Sequence, residues 1–228
     1  RISSHAILPD MATKKARNQG EENEIFLKAF LLKQMKSGKP VGPLGVIKDL
    51  SFGPGYKLPK WFPNYEKFLE TRDYNALKEV LPKSPVAFKA DISINGKAYS
   101  VKYTNAAKAA IVNHTNRKGF LRICKKIGAD IKILDHLISQ YWKKREAGLI
   151  TEDIKNSDLK SPFRNSKKSL KKILEYFLFE GTGSKDSIYP ADLMLKFSNP
   201  TDPTTYKILT KDDALDEMWN DLVFSVRS

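Results

Sequence analysis

Asn95 and Gly96 divide the stretch "KADISINGKAYSVKYT", residues 89 to 104, into two alternating runs, and this constrains the fold more than any other feature of the chain. Both central positions of the favoured two-residue hairpin turn need positive φ, which Asn and Gly supply at low cost. Counting outward from the turn pairs Ile94 with Lys97, Ser93 with Ala98, Ile92 with Tyr99, Asp91 with Ser100, Ala90 with Val101 and Lys89 with Lys102. Directly paired residues share a face and successive residues alternate between faces. One face therefore carries Phe88, Ala90, Ile92, Ile94, Tyr99, Val101 and Tyr103 and must lie on a core. The other carries Lys89, Asp91, Ser93, Ser100 and Lys102, with Asp91 and Lys102 diagonal to each other and Ser100 between them. That second face either meets water or holds a ligand.

The flanking sequence supplies helices to cover the sheet. "GEENEIFLKAFLLKQMKSG", residues 20 to 38, is acidic at its start and basic at its end, as the helix dipole favours. Ile25, Phe26, Leu27, Ala29, Phe30, Leu31 and Leu32 leave it few polar sides, so it is expected to be packed around most of its circumference. Residues 39 to 64, dense in Pro and Gly, read as a long ordered loop with Phe52, Trp61 and Phe62 partly buried, and short helices are expected over 65 to 81.

Beyond the hairpin, "NAAKAAIVNHTNRKGFLRICKKIG" reads as a short helix, a polar turn and a second helix. A longer amphipathic helix follows, with Ile131, Leu134, Leu137, Ile138 and Tyr141 on one stripe, and then a basic segment entering an apolar helix that ends at Gly181. "ADLMLKF", "TYKIL" and "DLVFSVRS" read as strands and "DDALDEMW" as a helix. The expected architecture is α/β: a central mixed β-sheet flanked by helices. Residues 1 to 228 are expected to form a single domain, with 158 to 228 as a basic C-terminal part and further residues conceivable after Ser228.

Charge narrows the partners. Forty Lys and Arg against 26 Asp and Glu give a net charge of +14, which favours a polyanion such as nucleic acid or an acidic membrane surface. Cys124 is the single cysteine, which excludes an intrachain disulfide and a zinc site built on several thiolates, and suits the cytoplasm. No apolar run reaches the roughly 18 residues of a membrane span, and the N-terminus lacks the apolar segment of a secretory signal. His5, His114 and His136 are scattered and suggest no metal cluster, and no local signature of acyl transfer is present.

A carboxylate and a lysine on one strand pair suit phosphodiester hydrolysis. Asp91 would hold a divalent cation, most simply Mg²⁺, which takes few protein ligands, and Lys102 would orient the attacking water and offset developing charge. The competing reading is a half-buried hairpin with a solvated face.

The order of a helix beginning "GEENE", a strand ending "KAD", a strand "YSVKY" and then a helix resembles the core of the PD-(D/E)xK nuclease superfamily. "GEENE" is similar to the Gly-Glu start of the first helix in restriction enzymes, which makes Glu21 and Glu24 candidates for the helix acid that joins Asp91 and Lys102. "VKYTNAAKAAIVNHTNRKGFLRI" is similar to the segment after the catalytic lysine in small type II restriction endonucleases, and "ADLMLKF" with "LVFSVRS" to their tails. The resemblance covers residues 18 to 128 and this tail, and no motif in it is highly specific.

It implies a restriction-endonuclease-like core, a Mg²⁺-dependent type II enzyme cutting double-stranded DNA at a short site, and a cognate DNA methyltransferase. Both a symmetric homodimer and a monomer nicking each strand in turn are compatible with it. Two departures stand out. Ser100 occupies the position where the pattern has Asp, Glu or an amide, so that either a helix glutamate or a neighbouring backbone carbonyl completes the site, or the metal is held weakly, or activity has been lost. Pro85 stands six residues before Asp91, displaced from the proline that opens the motif.

Asn113, His114, Asn116, Arg117 and Lys118 form a polar turn of the residue types that read base edges, and "FRNSKK", with Arg164, Lys167 and Lys168, is a second candidate for base readout, while the lysine cluster at 167 to 172 suits phosphate contacts. Two other functions fit the same residues: a non-catalytic nucleic-acid-binding protein, favoured by Ser100, and a repair or junction nuclease that cuts by structure.

Overall fold

The computed structural model describes residues 18–58, 64–105 and 115–221. Five strands form one mixed sheet in the order β1 (Leu50–Ser51), β2 (Ile92–Ile94), β3 (Lys97–Tyr103), β4 (Leu193–Phe197), β5 (Lys207–Leu209). All neighbours are antiparallel except β3 and β4, which run parallel with Ser100 opposite Met194 and Lys102 opposite Lys196. A parallel pair needs a crossover, here the long helical excursion between Tyr103 and Leu193.

Seven α-helices occur among the described residues. Helices α1 (Gln19–Ser37), α2 (Asn64–Glu70) and α3 (Tyr74–Val80) share a core with Ile92, Ile94, Tyr99, Val101, Leu195 and Phe197. Helices α4 (Arg117–Ile127), α5 (Ile131–Glu146), α6 (Lys167–Glu175) and α7 (Lys211–Met218) share another with Met194 and Leu209. Alternation along β4 sends Met194 to one core and Leu195 to the other, so both faces of the sheet are covered. The face carrying Ser100 is therefore not solvated at its centre, and Ser100 itself is only 2% exposed.

Helix α1 is the expected buried helix. Asn18 caps its start by accepting from the Gly20 N–H at 3.1 Å, and Gly38 ends it in the left-handed region. Ile25 to Leu32 are all buried, Lys28 among them. Helices α2 and α3, the stripe of α5 and the strands β4 and β5 also fall where the sequence pattern puts them. The helix entered by the basic segment continues past α6 as a π-helical turn, Tyr176–Glu180, and ends at Gly181.

The hairpin departs from simple pairing at the position that matters most. Ile94↔Lys97, Ser93↔Ala98 and Ile92↔Tyr99 form as counted, but the ladder stops there. The Asp91 N–H donates to the Tyr99 carbonyl at 2.8 Å, so Asp91 and Ile92 both stand against Tyr99, the two-against-one count of a β-bulge. Asp91 thus does not pair with Ser100 as the simple count requires. Ala90 is displaced from the face of Ile92 and packs in the core of α4 to α7 instead. The 39 to 64 segment also holds more than a loop, since Leu50 and Ser51 pair with Ile94 and Ser93 and add an edge strand. The helix expected near residue 106, Trp61, Phe62, His5, Asn113, His114 and the final strand "LVFSVRS" lie outside the described residues.

Candidate active site

The bulge sets the geometry of Asp91. In a continued ladder the Val101 N–H would bond to the main-chain carbonyl of residue 90; here it donates to Asp91 Oδ2 at 2.7 Å. Asp91 is half-buried, and the desolvation of its carboxylate together with the Glu24 charge raises its pKa to about 6, against the opposing pull of Lys102, the Val101 hydrogen bond and Lys28. The structure thus brings Glu24 of α1, Asp91 at the bulge and Lys102 of β3 into one electrostatic unit.

Glu24, not Glu21, is the helix acid that reaches it. Glu21 turns to Lys83 at 2.8 Å and to the Tyr74 hydroxyl at 3.2 Å, and the hydrogen bond from Lys83 holds its pKa low. Glu24 Oε1 accepts from Lys28 Nζ at 2.6 Å and from the Ser84 hydroxyl at 2.9 Å. Lys28 has a fully buried side chain, and its ammonium also donates to the Pro82 carbonyl at 2.9 Å and to Ser84 Oγ at 3.0 Å. All three ammonium donors are therefore matched, which is what lets a lysine be buried there.

Among the described residues, Glu24 Oε2 and Asp91 Oδ1 accept no hydrogen bond, and the Lys102 ammonium makes neither a hydrogen bond nor an ion pair. Each carboxylate is anchored through one oxygen with the other spare. Among those residues no group of three or more His, Cys, Asp or Glu is placed to hold a metal. Two carboxylates with spare oxygens fit Mg²⁺, which commonly binds through one or two carboxylates and keeps waters, and do not fit a four-ligand zinc site. Ser100 lies buried beside this unit and adds no charge to it.

Lys89, Lys28 and Ser84 belong to the same neighbourhood but carry no motif. Burial, reinforced by the charge of Lys102, lowers the pKa of Lys89 to about 8, with Asp91 acting in the opposite direction. The signal for Lys28 was present in the sequence: Glu24 and Lys28 stand one turn apart inside an otherwise apolar helix.

The outer basic residues divide. Asn116 caps α4, accepting from the Gly119 N–H at 2.9 Å. Arg117 gives its guanidinium fork to Asp135 at 3.1 and 2.8 Å, so it must leave an internal partner to read a base. Lys167 pairs with Asp216 at 2.6 Å. Lys118, Arg164 and Lys168 are exposed. Among the described residues, no helix is long and apolar enough to cross a membrane.

Comparison with protein-family models, with curated proteins and with solved structures finds no match for this chain.

Proposed function

We propose that the chain is a Mg²⁺-dependent endonuclease that hydrolyses phosphodiester bonds of double-stranded DNA at a short specific site, in the manner of the PD-(D/E)xK enzymes it resembles. The observation that carries this reading is the convergence of Glu24, Asp91 and Lys102, from three separate elements, with a spare oxygen on each carboxylate. Glu24 Oε2 and Asp91 Oδ1 would hold the ion, and a backbone carbonyl beside Ser100 would stand in for the carboxylate the serine lacks. The ion, when bound, polarises the phosphate and lowers the pKa of a coordinated water. Lys102 Nζ holds the attacking water and offsets the charge that develops on the phosphate oxygens. The +14 net charge favours association of the chain with a polyanion.

A cytoplasmic setting and a partner DNA methyltransferase follow from the same proposal, which is compatible with a homodimer reading a palindrome and with a monomer nicking each strand in turn. The test is incubation of plasmid and phage DNA with the protein in Mg²⁺ or in chelator. Discrete metal-dependent fragments support a sequence-specific enzyme, whereas cleavage confined to junctions or flaps points to a repair nuclease. A second reading, a nucleic-acid-binding protein without catalysis, is favoured by Ser100 and by the hold of Lys28 on Glu24. It requires DNA to be retarded on a gel and left intact whatever the metal.

A further inference from the structure

A cavity of about 610 Å³ opens beside Lys89, between the first turn of α4 and the segment 182–185. Glycines allow the two walls to meet: a Cβ on Gly183 would fall 2.5 Å from Thr115 Cγ2, and one on Gly119 would fall 2.9 Å from the Gly183 carbonyl oxygen. Arg122 fastens this wall by donating to the Thr182 carbonyl and the Tyr176 hydroxyl at 2.8 Å each and to Asp186 at 3.2 Å. Asp186 is shared with Lys126 and does not line the cavity.

With Arg122 so engaged, three lysines remain on the lining. Among the described residues, the ammonium groups of Lys89, Lys118 and Lys185 make no hydrogen bond or ion pair and no carboxylate lines the cavity. Three unmatched cations repel one another and lower the cost of bringing in an anion. The remaining lining includes Val86, 88% exposed, and the buried Phe177, so apolar residues stand next to the cationic ones. The volume is that of a small-molecule site. A phosphate joined to a sugar and base matches both surfaces.

We propose that this cavity is a nucleotide-phosphate subsite, seating one phosphate of a nucleic-acid strand or of a free nucleotide against Lys89, Lys118 and Lys185. That the occupant belongs to a strand held for cutting rests on the nuclease reading; its anionic chemistry does not. Lys89 joins the two sites, because it lines the cavity and also feels the charges of Asp91 and Lys102.

The test uses the whole chain in chelator, so that no cleavage intervenes, with a labelled short DNA duplex followed by anisotropy and dAMP followed by calorimetry. Lys118 and Lys185 are exposed, so Lys118→Gln/Lys185→Gln is expected to fold. Its affinity for the duplex or for dAMP should fall about tenfold, and for the duplex the slope of log K against log salt should shrink by about 0.9 for each phosphate no longer neutralised. A control removing the same charge at the exposed Lys132 and Lys143 of α5 should change either affinity by less than about threefold. A loss seen with the duplex assigns the subsite to a strand, and one confined to dAMP assigns it to a free nucleotide. Unchanged affinity for both probes, or an equal loss in the control, overturns the proposal. Intact plasmid in Mg²⁺ beside a tenfold loss in the variant would reject the nuclease and keep the subsite, whereas cleavage with unchanged affinity would do the reverse.

Discussion

Val101 donates its backbone N–H to Asp91 Oδ2 at 2.7 Å, so a carboxylate occupies the place in the hairpin ladder that a main-chain carbonyl would otherwise take. The bulge that permits this also fixes Asp91 against Glu24, and together with burial this raises its pKa from an ordinary 3.8 to about 6. A carboxyl whose pKa is higher folded than unfolded binds its proton more tightly in the native state. Its contribution to stability is complete below the unfolded value and is lost as pH rises through the folded one. Asp91→Asn keeps an acceptor for Val101 and removes the charge. The variant should be more stable than the parent at pH 8, by roughly 2 kcal/mol, with the advantage gone near pH 4 where Asp91 is already neutral. Urea unfolding at the two pH values measures it, and an Asn variant no more stable at pH 8 would show that Asp91 carries no such strain.

The same strain gives a test of metal binding that does not depend on turnover. A cation held between Glu24 and Asp91 binds the folded chain and favours ionised Asp91, so Mg²⁺ should raise the melting temperature at pH 8. At pH 5 protons compete for Asp91, and the shift should shrink; in Asp91→Asn it should be absent at both. Differential scanning fluorimetry with Mg²⁺ and chelator reads all four cases. An equal shift in the variant would place the ion elsewhere.

Glu24 and Glu21 lie three residues apart on α1 and have different duties, so they separate by mutation. Glu24→Gln, Asp91→Ala and Lys102→Ala should each reduce DNA cleavage by roughly a hundredfold or more while duplex binding in chelator persists. Glu21→Gln loses only a half-exposed pair with Lys83, and should cut within about twofold of the parent. Rates on a plasmid substrate decide between them. Loss on Glu21→Gln with retention on Glu24→Gln would move the helix acid by one turn.

The hairpin was legible because Asn95 and Gly96 satisfy a local requirement: both take positive φ, 50° and 77°. What Asn95 does beyond the turn was not legible. Its Oδ1 accepts the Lys48 N–H at 2.8 Å and its Nδ2 donates to the Val46 carbonyl at 2.9 Å, tying the Pro and Gly segment to the sheet and helping to form β1. A two-residue edge strand has no periodicity of its own, so it could be found only through such a partner. The site divides in the same way. Asp91 and Lys102 follow from strand alternation, but the bulge depends on how Ala90 packs in the other core, and period-two counting carries straight past it. Choosing between Glu21 and Glu24 needed Lys83 and Ser84, some 60 residues away.

Lys28 tests how the buried part of the site is held. Its side chain is fully buried and its ammonium meets Glu24, the Pro82 carbonyl and Ser84. Lys28→Met fills nearly the same volume without the charge, which leaves Glu24 with Asp91 as its anionic neighbour and the Pro82 carbonyl without its donor. Breaking a buried pair from one side costs about 3 to 5 kcal/mol, far more than replacing both partners. The single variant should therefore lose stability on that scale in urea unfolding at pH 8, and Lys28→Met/Glu24→Gln should recover part of the loss because the unpaired charge is gone. Mg²⁺ should also restore part of the stability of Lys28→Met, since a divalent cation on Glu24 Oε2 supplies the positive charge the lysine took away. A single variant as stable as the parent would mean that the lysine does not neutralise Glu24, and a deficit untouched by Mg²⁺ would count against Glu24 as a ligand.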